Sequence, residues 1–294
     1  MYIDGVFSGG GIKGFALVGA YQAIEDRGIR FKRVAGTSAG SIVAALIAVN
    51  YSSREIYTLI DELTLEDLLD QRKTILPISV TKWLLLYWRM GLYKGHKLEE
   101  WVASKLAMRG IQTFGDLPPQ TLRVIASDLT NGRLVVLPDD LPNYGIDPSK
   151  FPISKAIRMS CSLPYFFEPV KIKNERTSSV IVDGGVLSNF PMWLFDKENV
   201  KKVRPVLGIK LSSQANEHHK KQINNAINLF EAIFDTMKDA HDSRYISRKH
   251  EKNIIFIPVE GVLTTDFQLS ADEKQELFDL GYARAKKFLE KWTY

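Results

Sequence analysis

Three short apolar runs in this chain each end in a cluster of glycines, and that pattern restricts the fold more than any other feature. Residues 2–7 run into Ser8-Gly9-Gly10-Gly11, Arg33-Val34-Ala35 into Gly36-Thr37-Ser38-Ala39-Gly40, and Ser179-Val180-Ile181-Val182 into Asp183-Gly184-Gly185. The first two are followed at once by helical sequence. Ile12 to Arg27 carries the small residues Gly14, Ala16, Gly19, Ala20 and Ala23, which permit close packing on a sheet, and SIVAALIAV at 41–49 is apolar all round, hence a buried helix. Strands that alternate with helices in this way predict an α/β chain with a mostly parallel sheet covered on both faces.

The rest of the chain continues the alternation. Ser52 to Glu55 has capping-box spacing and opens a helix towards residue 70, and a further helix is expected near 96–108. LRVIASDL at 122–129 reads as a core strand, and Asn131-Gly132 turns it into a hairpin partner, RLVVL. A loop at 138–152 precedes a short helix from Ser154 to Met159, which Pro164 ends. Strands at 204–211 and 254–259 alternate with helices near 220–240 and 271–290, the last opened by a second capping box, Ser270 to Glu273. Open α/β sheets reach 294 residues as one unit, so a single domain over 1–294 is expected, with 200–294 completing it.

Composition excludes several function classes. With 45% hydrophobic and 25% charged residues the chain is of ordinary globular type. Cys161 is the only cysteine, so there is no internal disulfide and no multi-cysteine metal cluster. The five histidines include no His-Glu-x-x-His pair, and no metal site is expected. No basic and apolar leader opens the chain, and no run of 18 uncharged apolar residues suits a spanning helix, so a cytoplasmic location is expected. The formal charge of +5 favours anionic partners such as a lipid surface, although ordinary surface lysines produce the same balance.

Gly9-x-Gly11-x-x-Gly14 after a strand imitates a dinucleotide fingerprint. That fingerprint also needs an acidic residue about twenty positions on, at the end of the next strand, to hold a ribose. Here the next strand is flanked by Arg30, Lys32 and Arg33 and ends in Gly36-Thr37. The Gly-Lys-Ser/Thr of a nucleoside triphosphate loop is missing as well. No nucleotide cofactor and no nucleic-acid partner are therefore expected.

What ends that strand is a G-x-S-x-G pentapeptide, set between a strand and a buried helix. A nucleophile elbow needs this context, because the strained turn pushes the Ser38 hydroxyl outwards. Gly36 and Gly40 relieve crowding around it, and Thr37 and Ala39 complete the turn. The glycine loop then takes a second meaning. Acyl transfer passes through a tetrahedral oxyanion that needs preorganised donors, and Gly9, Gly10, Gly11 and Gly14 offer amides without side chains. Lys13 adds positive charge beside them, to orient the loop or attract a headgroup phosphate.

A histidine base is hard to find. His96 follows Lys94-Gly95, His218 and His219 stand in a polar run, and His241 and His250 lie in charged helical sequence. Asp183 is the alternative: it ends an apolar strand before Gly184-Gly185, and is expected at the carboxyl edge of the sheet, where α/β sites collect. A tight Asp-Gly-Gly turn would have the same sequence.

Taken together the three motifs resemble those of the patatin-like phospholipases, in a bacterial form. Gly9 to Gly14 match the family's Gly-Gly-Gly-x-Arg/Lys-Gly oxyanion loop, Gly36 to Gly40 its elbow, and Asp183 to Gly185 its Asp-Gly-Gly/Ala motif. Ser160-Cys161-Ser162-Leu163-Pro164 resembles its small-residue segment. The resemblance covers residues 4–191. It implies a three-layer α/β/α fold, a Ser38-Asp183 dyad without cofactor, and hydrolysis of glycerolipid or phospholipid esters. Thioesters, simple carboxylic esters, or lipid binding without catalysis are the alternatives. TKWLLLYWRMGLYKG at 81–95, with Trp83 and Trp88 among cations, suits either a core helix or a peripheral contact with an anionic membrane surface.

Overall fold

The computed structural model describes residues 1–63, 70, 86–173, 178–195, 204–212, 229, 232–234, 236–238, 242, 246, 251–259 and 269–293. Trp83, the histidines other than His96, and most of the expected 220–240 helix lie outside these residues. Strand β1 (Tyr2–Phe7) passes through a 3-10 turn at Gly11–Lys13 into helix α1 (Gly14–Asp26), and β2 (Arg30–Thr37) passes into α2 (Ala39–Ala48). Helix α3 (Ser53–Asp61) opens on the expected capping box, with Ser52 and Glu55 bonded reciprocally. A short strand β3 (Gly91–Tyr93) precedes α4 (His96–Ala107), and the hairpin of β4 (Leu122–Asp128) and β5 (Arg133–Leu137) follows. Helix α5 (Ile153–Ser160) leads to β6 (Tyr165–Phe167), β7 (Val170–Lys173) and β8 (Ser178–Asp183). Strands β9 (Val206–Ser212) and β10 (Ile254–Pro258) and helix α6 (Ala271–Leu289) complete the order.

Eight strands form the main sheet in the order β10-β9-β1-β2-β4-β8-β7, with β5 paired to β4. The strands from β10 to β4 are parallel, whereas β8, β7 and β5 pair antiparallel. Helices on both faces give the three-layer arrangement. Successive residues of one strand face opposite cores, as a period of two requires. Val34, Leu207 and Ile255 enter the larger core under α1 and α2, while Ala35, Val206 and Ile254 meet Phe190, Met192 and Phe195 on the other side. Asp4, fully buried in β1, is held by Arg33 of β2 and by Arg204 just before β9, so one carboxylate ties three adjacent strands.

The chain's last helix is fastened to its first. A Cβ on Gly19 of α1 would lie 1.9 Å from the Phe278 carbonyl oxygen, and one on Gly281 of α6 would lie 1.9 Å from that of Ala16. Backbone touches backbone at this crossing, and neither side has a flexible end that could yield. Helix propensity alone would make Gly19→Ala stabilising by about 1 kcal/mol. The contact reverses that sign. Gly19→Ala is expected to lower stability by about 1–3 kcal/mol through overpacking, read as a lower melting temperature and denaturation midpoint than native. An unchanged or raised midpoint would contradict the crossing.

Candidate active site

Ser38 sits between β2 and α2 at φ 52° and ψ −128°, a left-handed conformation that costs a serine about 1–3 kcal/mol. Its backbone is pinned from both sides. The Ser38 N–H donates to Ser160 Oγ at 2.9 Å, and its carbonyl accepts from the Ser41 amide at 2.8 Å and Ser41 Oγ at 2.6 Å. The glycines around it answer to backbone crowding. A Cβ on Gly36 would fall 2.3 Å from the Gly40 oxygen, and one on Gly40 would fall 2.4 Å from that of Ser8. Thr37, fully buried, donates its hydroxyl to the Ser188 carbonyl at 3.0 Å.

Asp183 reaches Ser38 by a route that the sequence did not suggest. Strand β8 runs antiparallel to β4, so ending that strand does not place Asp183 at the carboxyl edge of the parallel strands. Register places it instead. Thr37 of β2 pairs with Ile125 of β4 and Asp183 pairs with the next residue, Ala126, so Asp183 stands level with Ser38. Gly184 lets β8 close on β4, since a Cβ there would be 2.3 Å from the Ile125 oxygen, and the Gly185 amide donates to Asp183 Oδ1 at 2.7 Å.

The carboxylate is 2% exposed. Burial pushes its pKa up to about 6, against the hydrogen bonds from the Ser38 hydroxyl and the Gly185 amide and the charge of Lys238, which all draw it down. A carboxylate in that range is a better base at neutral pH than an exposed one.

Both side chains line one pocket with Gly10, Gly11, Gly14 and Ala39. The amides of Gly10 and Gly11 donate to no group among the described residues, whereas the Gly9 amide is bonded to the Asn189 carbonyl at 3.1 Å. Gly9 therefore shapes the loop, and the free donors are those of Gly10 and Gly11. Lys13 ends the 3-10 turn that opens α1 but is not on the pocket wall. The remaining wall is largely apolar, with Ile42 from α2, Ile60 from α3, Leu98 and Trp101 from α4, and Leu163 and Phe166. Lys238 and Lys274 also reach it, the latter bonded to Asp61 at 2.9 Å. Behind the wall the buried Arg158 donates to Ser162 Oγ and to the carbonyls of Lys94 and Glu168, fixing three loops at once.

His96 is exposed and absent from the pocket. Among the described residues no group of three or more His, Cys, Asp or Glu side chains could hold a metal ion, and no helix is long and apolar enough to cross a membrane. Sequence reasoning gave no role to Ser41, Asn189, Phe234 or Lys238. Ser41 is one helical turn from the serine, whereas Asn189, Phe234 and Lys238 stand in no motif and only the folded chain brings them to the same pocket.

A family model described as patatin-like phospholipase matches residues 5–196. The protein YqhO of Bacillus subtilis (strain 168) is 56% identical over 294 residues, covering 100% of both chains. The lysophospholipase NTE1 of Debaryomyces hansenii is 27% identical over 203 residues, which are 67% of this chain and 11% of that one. Among solved structures, VipD from Legionella pneumophila superposes with a TM-score of 0.57 at 18% identity, over 99% of this chain and 67% of that one, a likeness of fold. With the motif-bearing two thirds of the sequence matched and a full-length relative beside it, the chain belongs to the patatin-like phospholipase family and is a lipid acyl hydrolase.

Proposed function

We propose that the protein cleaves carboxylic esters of glycerolipids or phospholipids through a Ser38-Asp183 dyad and an acyl-enzyme. The observation that carries this reading is a buried carboxylate, raised in pKa, that lines one largely apolar pocket with an elbow serine whose hydroxyl draws that pKa down. Asp183 takes the Ser38 proton as Oγ adds to the ester carbonyl, and the Gly10 and Gly11 amides bind the oxyanion. The tetrahedral adduct collapses, the alcohol leaves with the proton from Asp183, and the acyl group stays on Ser38. Water, deprotonated by Asp183, then adds to the acyl-enzyme, and Ser38 leaves with that proton. The apolar wall suits the acyl chain, and the one sheet shared by β1 and β10 supports reading 1–294 as a single domain.

We read the protein as a peripheral visitor to anionic membranes as well. Residues 86–89 are helical, and Tyr87 and Trp88 are 67% and 71% exposed, their rings in edge contact at 5.2 Å. Such rings, together with the net charge of +5, suit a lipid interface.

Three outcomes follow. Ser38→Ala should abolish hydrolysis of short-chain p-nitrophenyl esters and of phospholipid vesicles while leaving circular dichroism unchanged; more than a tenth of native turnover would remove Ser38 from its role. For Asp183 the relevant measurements are a pH profile and a melting curve. Protonated Asp183 cannot accept the serine proton, so kcat/KM should fall about tenfold per pH unit below about 6 and level off above it. The folded pKa lies above the unfolded value of about 3.9, so this group's contribution to stability decreases as pH rises from about 4 through 6, by about 3 kcal/mol in all. Asp183→Asn should therefore lose about 10²-fold or more in activity yet melt above native at pH 8 and not at pH 4. An active Asn variant, or one that melts lower at pH 8, would refute the assignment. Finally, co-sedimentation with vesicles should increase with anionic lipid and weaken without vanishing at about 1 M salt, and the paired change Tyr87→Ser with Trp88→Ser should remove the salt-resistant part. Equal sedimentation with neutral and anionic vesicles would defeat the membrane reading.

A further inference from the structure

Asn189 occupies an uncommon position for an amide side chain. It is 6% exposed, it lies on the wall of the pocket that holds Ser38 and Asp183, and its carboxamide has no hydrogen-bond partner among the described residues. Among the described residues only Arg33 Nε is a sealed side-chain atom without a partner, so the Asn189 carboxamide is open to the pocket and available to a group bound there.

The backbone around it is fixed. The Ser188 amide donates to the Gly184 carbonyl at 2.8 Å, the Ser188 carbonyl accepts from Thr37 Oγ1, and the Asn189 carbonyl accepts from the Gly9 amide. The side chain is held as narrowly. A Cβ on Gly9 would lie 2.4 Å from Asn189 Oδ1, and one on Gly185 would lie 3.4 Å from it. The carboxamide oxygen therefore occupies the place of a side chain on Gly9, and stands at ordinary contact distance from the Gly185 position. Ser38 Cβ borders the same place, 3.2 Å from that Gly9 position. With its oxygen end against the Gly9 Cα, the carboxamide has its two N–H donors left to offer.

Resting on the acyl-hydrolase reading, we infer that the Asn189 carboxamide is a third donor to the acyl oxygen, joining the Gly10 and Gly11 amides in binding the oxyanion. The ester carbonyl oxygen is an acceptor before attack and carries the negative charge after it. A donor already fixed in place therefore bonds the transition state more strongly than the ground state, the condition for raising kcat. The oxyanion forms in acylation and again in deacylation, so the donor serves both steps and does not depend on the leaving alcohol. Asn189 also connects the two halves of the site, since its main chain holds the oxyanion loop and its own segment follows the Asp183 turn.

The test compares native protein, Asn189→Ala and the isosteric Asn189→Asp, with Ser38→Ala as the baseline, on a p-nitrophenyl ester and an alkyl ester of the same acyl chain. Loss of one such side-chain donor lowers kcat by about 10²–10³-fold. Both variants should show that loss, to the same extent on both esters, with KM within a fewfold and melting temperatures no lower than native. In the native protein, a trifluoromethyl ketone that adds to Ser38 should move the assigned Asn189 side-chain amide resonances, which a merely structural amide would not do. A kcat within threefold of native, a loss confined to the alkyl ester, a parallel collapse of KM and melting temperature, or unmoved amide resonances in the hemiketal would each overturn the inference. If instead native hydrolysis proves no greater than that of Ser38→Ala, it is the dyad reading that fails.

Discussion

The architecture of the site depends on how closely helix α2 leaves the sheet beside β1. The first turn of α2 passes so near the end of β1 that the Ser8 oxygen occupies the place of a side chain on Gly40, and the Gly40 oxygen occupies that of one on Gly36. No flexible group lies at these contacts. Their consequence is a Ser38 forced into a positive-φ conformation, with its hydroxyl outward and the free N–H groups of the helix start beside it. The same closeness recurs at Gly184 against Ile125, which brings the Asp183 turn down onto β4. Glycines at 36, 40 and 184 are thus the spatial requirement for a serine and a carboxylate to meet at the height of the β2 end.

That meeting is unfavourable for the folded state in several ways. Ser38 is strained, Asp183 is an acid whose charged form is opposed by burial, and the amides of Gly10 and Gly11 and the carboxamide of Asn189 have donors without acceptors among the described residues. The strained backbone of Ser38 alone costs about 1–3 kcal/mol. The chain offsets them elsewhere. Ser160 and Ser41 bond the strained residue directly, Arg158 fixes three loops behind the pocket, and the glycine-packed pair of α1 and α6 covers the sheet from which the elbow projects. Local conflict at a site set in a consistent surrounding is the expected form of an enzyme, and it explains why removing Asp183 is expected to stabilise.

Sequence carried those parts that depend on neighbours along the chain. The strand-glycine-helix junctions, both capping boxes and the Asn131-Gly132 hairpin were legible because each is decided within about ten residues. What depends on pairing was not. An apolar run such as Ser179 to Val182 shows that a strand exists but not its direction, and only its pairing with β4 makes β8 antiparallel. The three-residue strands β3 and β6 are too short to show alternation, and β3 divides a stretch that read as one aromatic segment. Gly9 illustrates the same limit within a motif. Its sequence is that of a donor, but the Asn189 carbonyl, 180 positions away, takes its amide.

The absence of a histidine from the proposed dyad becomes intelligible in this setting. A carboxylate in water is too weak a base to activate a serine at neutral pH. Here it is almost wholly enclosed, and Lys238 and two hydrogen bonds keep its pKa from climbing beyond about 6. An acyl chain lying along Ile42, Leu98 and Trp101 would displace water from the same pocket and lower the dielectric around Asp183 further. Base strength and oxyanion stabilisation would then both rise when an apolar substrate is seated, and not when a small polar ester is. On this argument the apolar wall does more than select the acyl group. In the proposed reaction it would supply, through desolvation, the basicity that a histidine would otherwise provide, and would link the choice of an apolar acyl group to the proposed dyad chemistry by one physical cause.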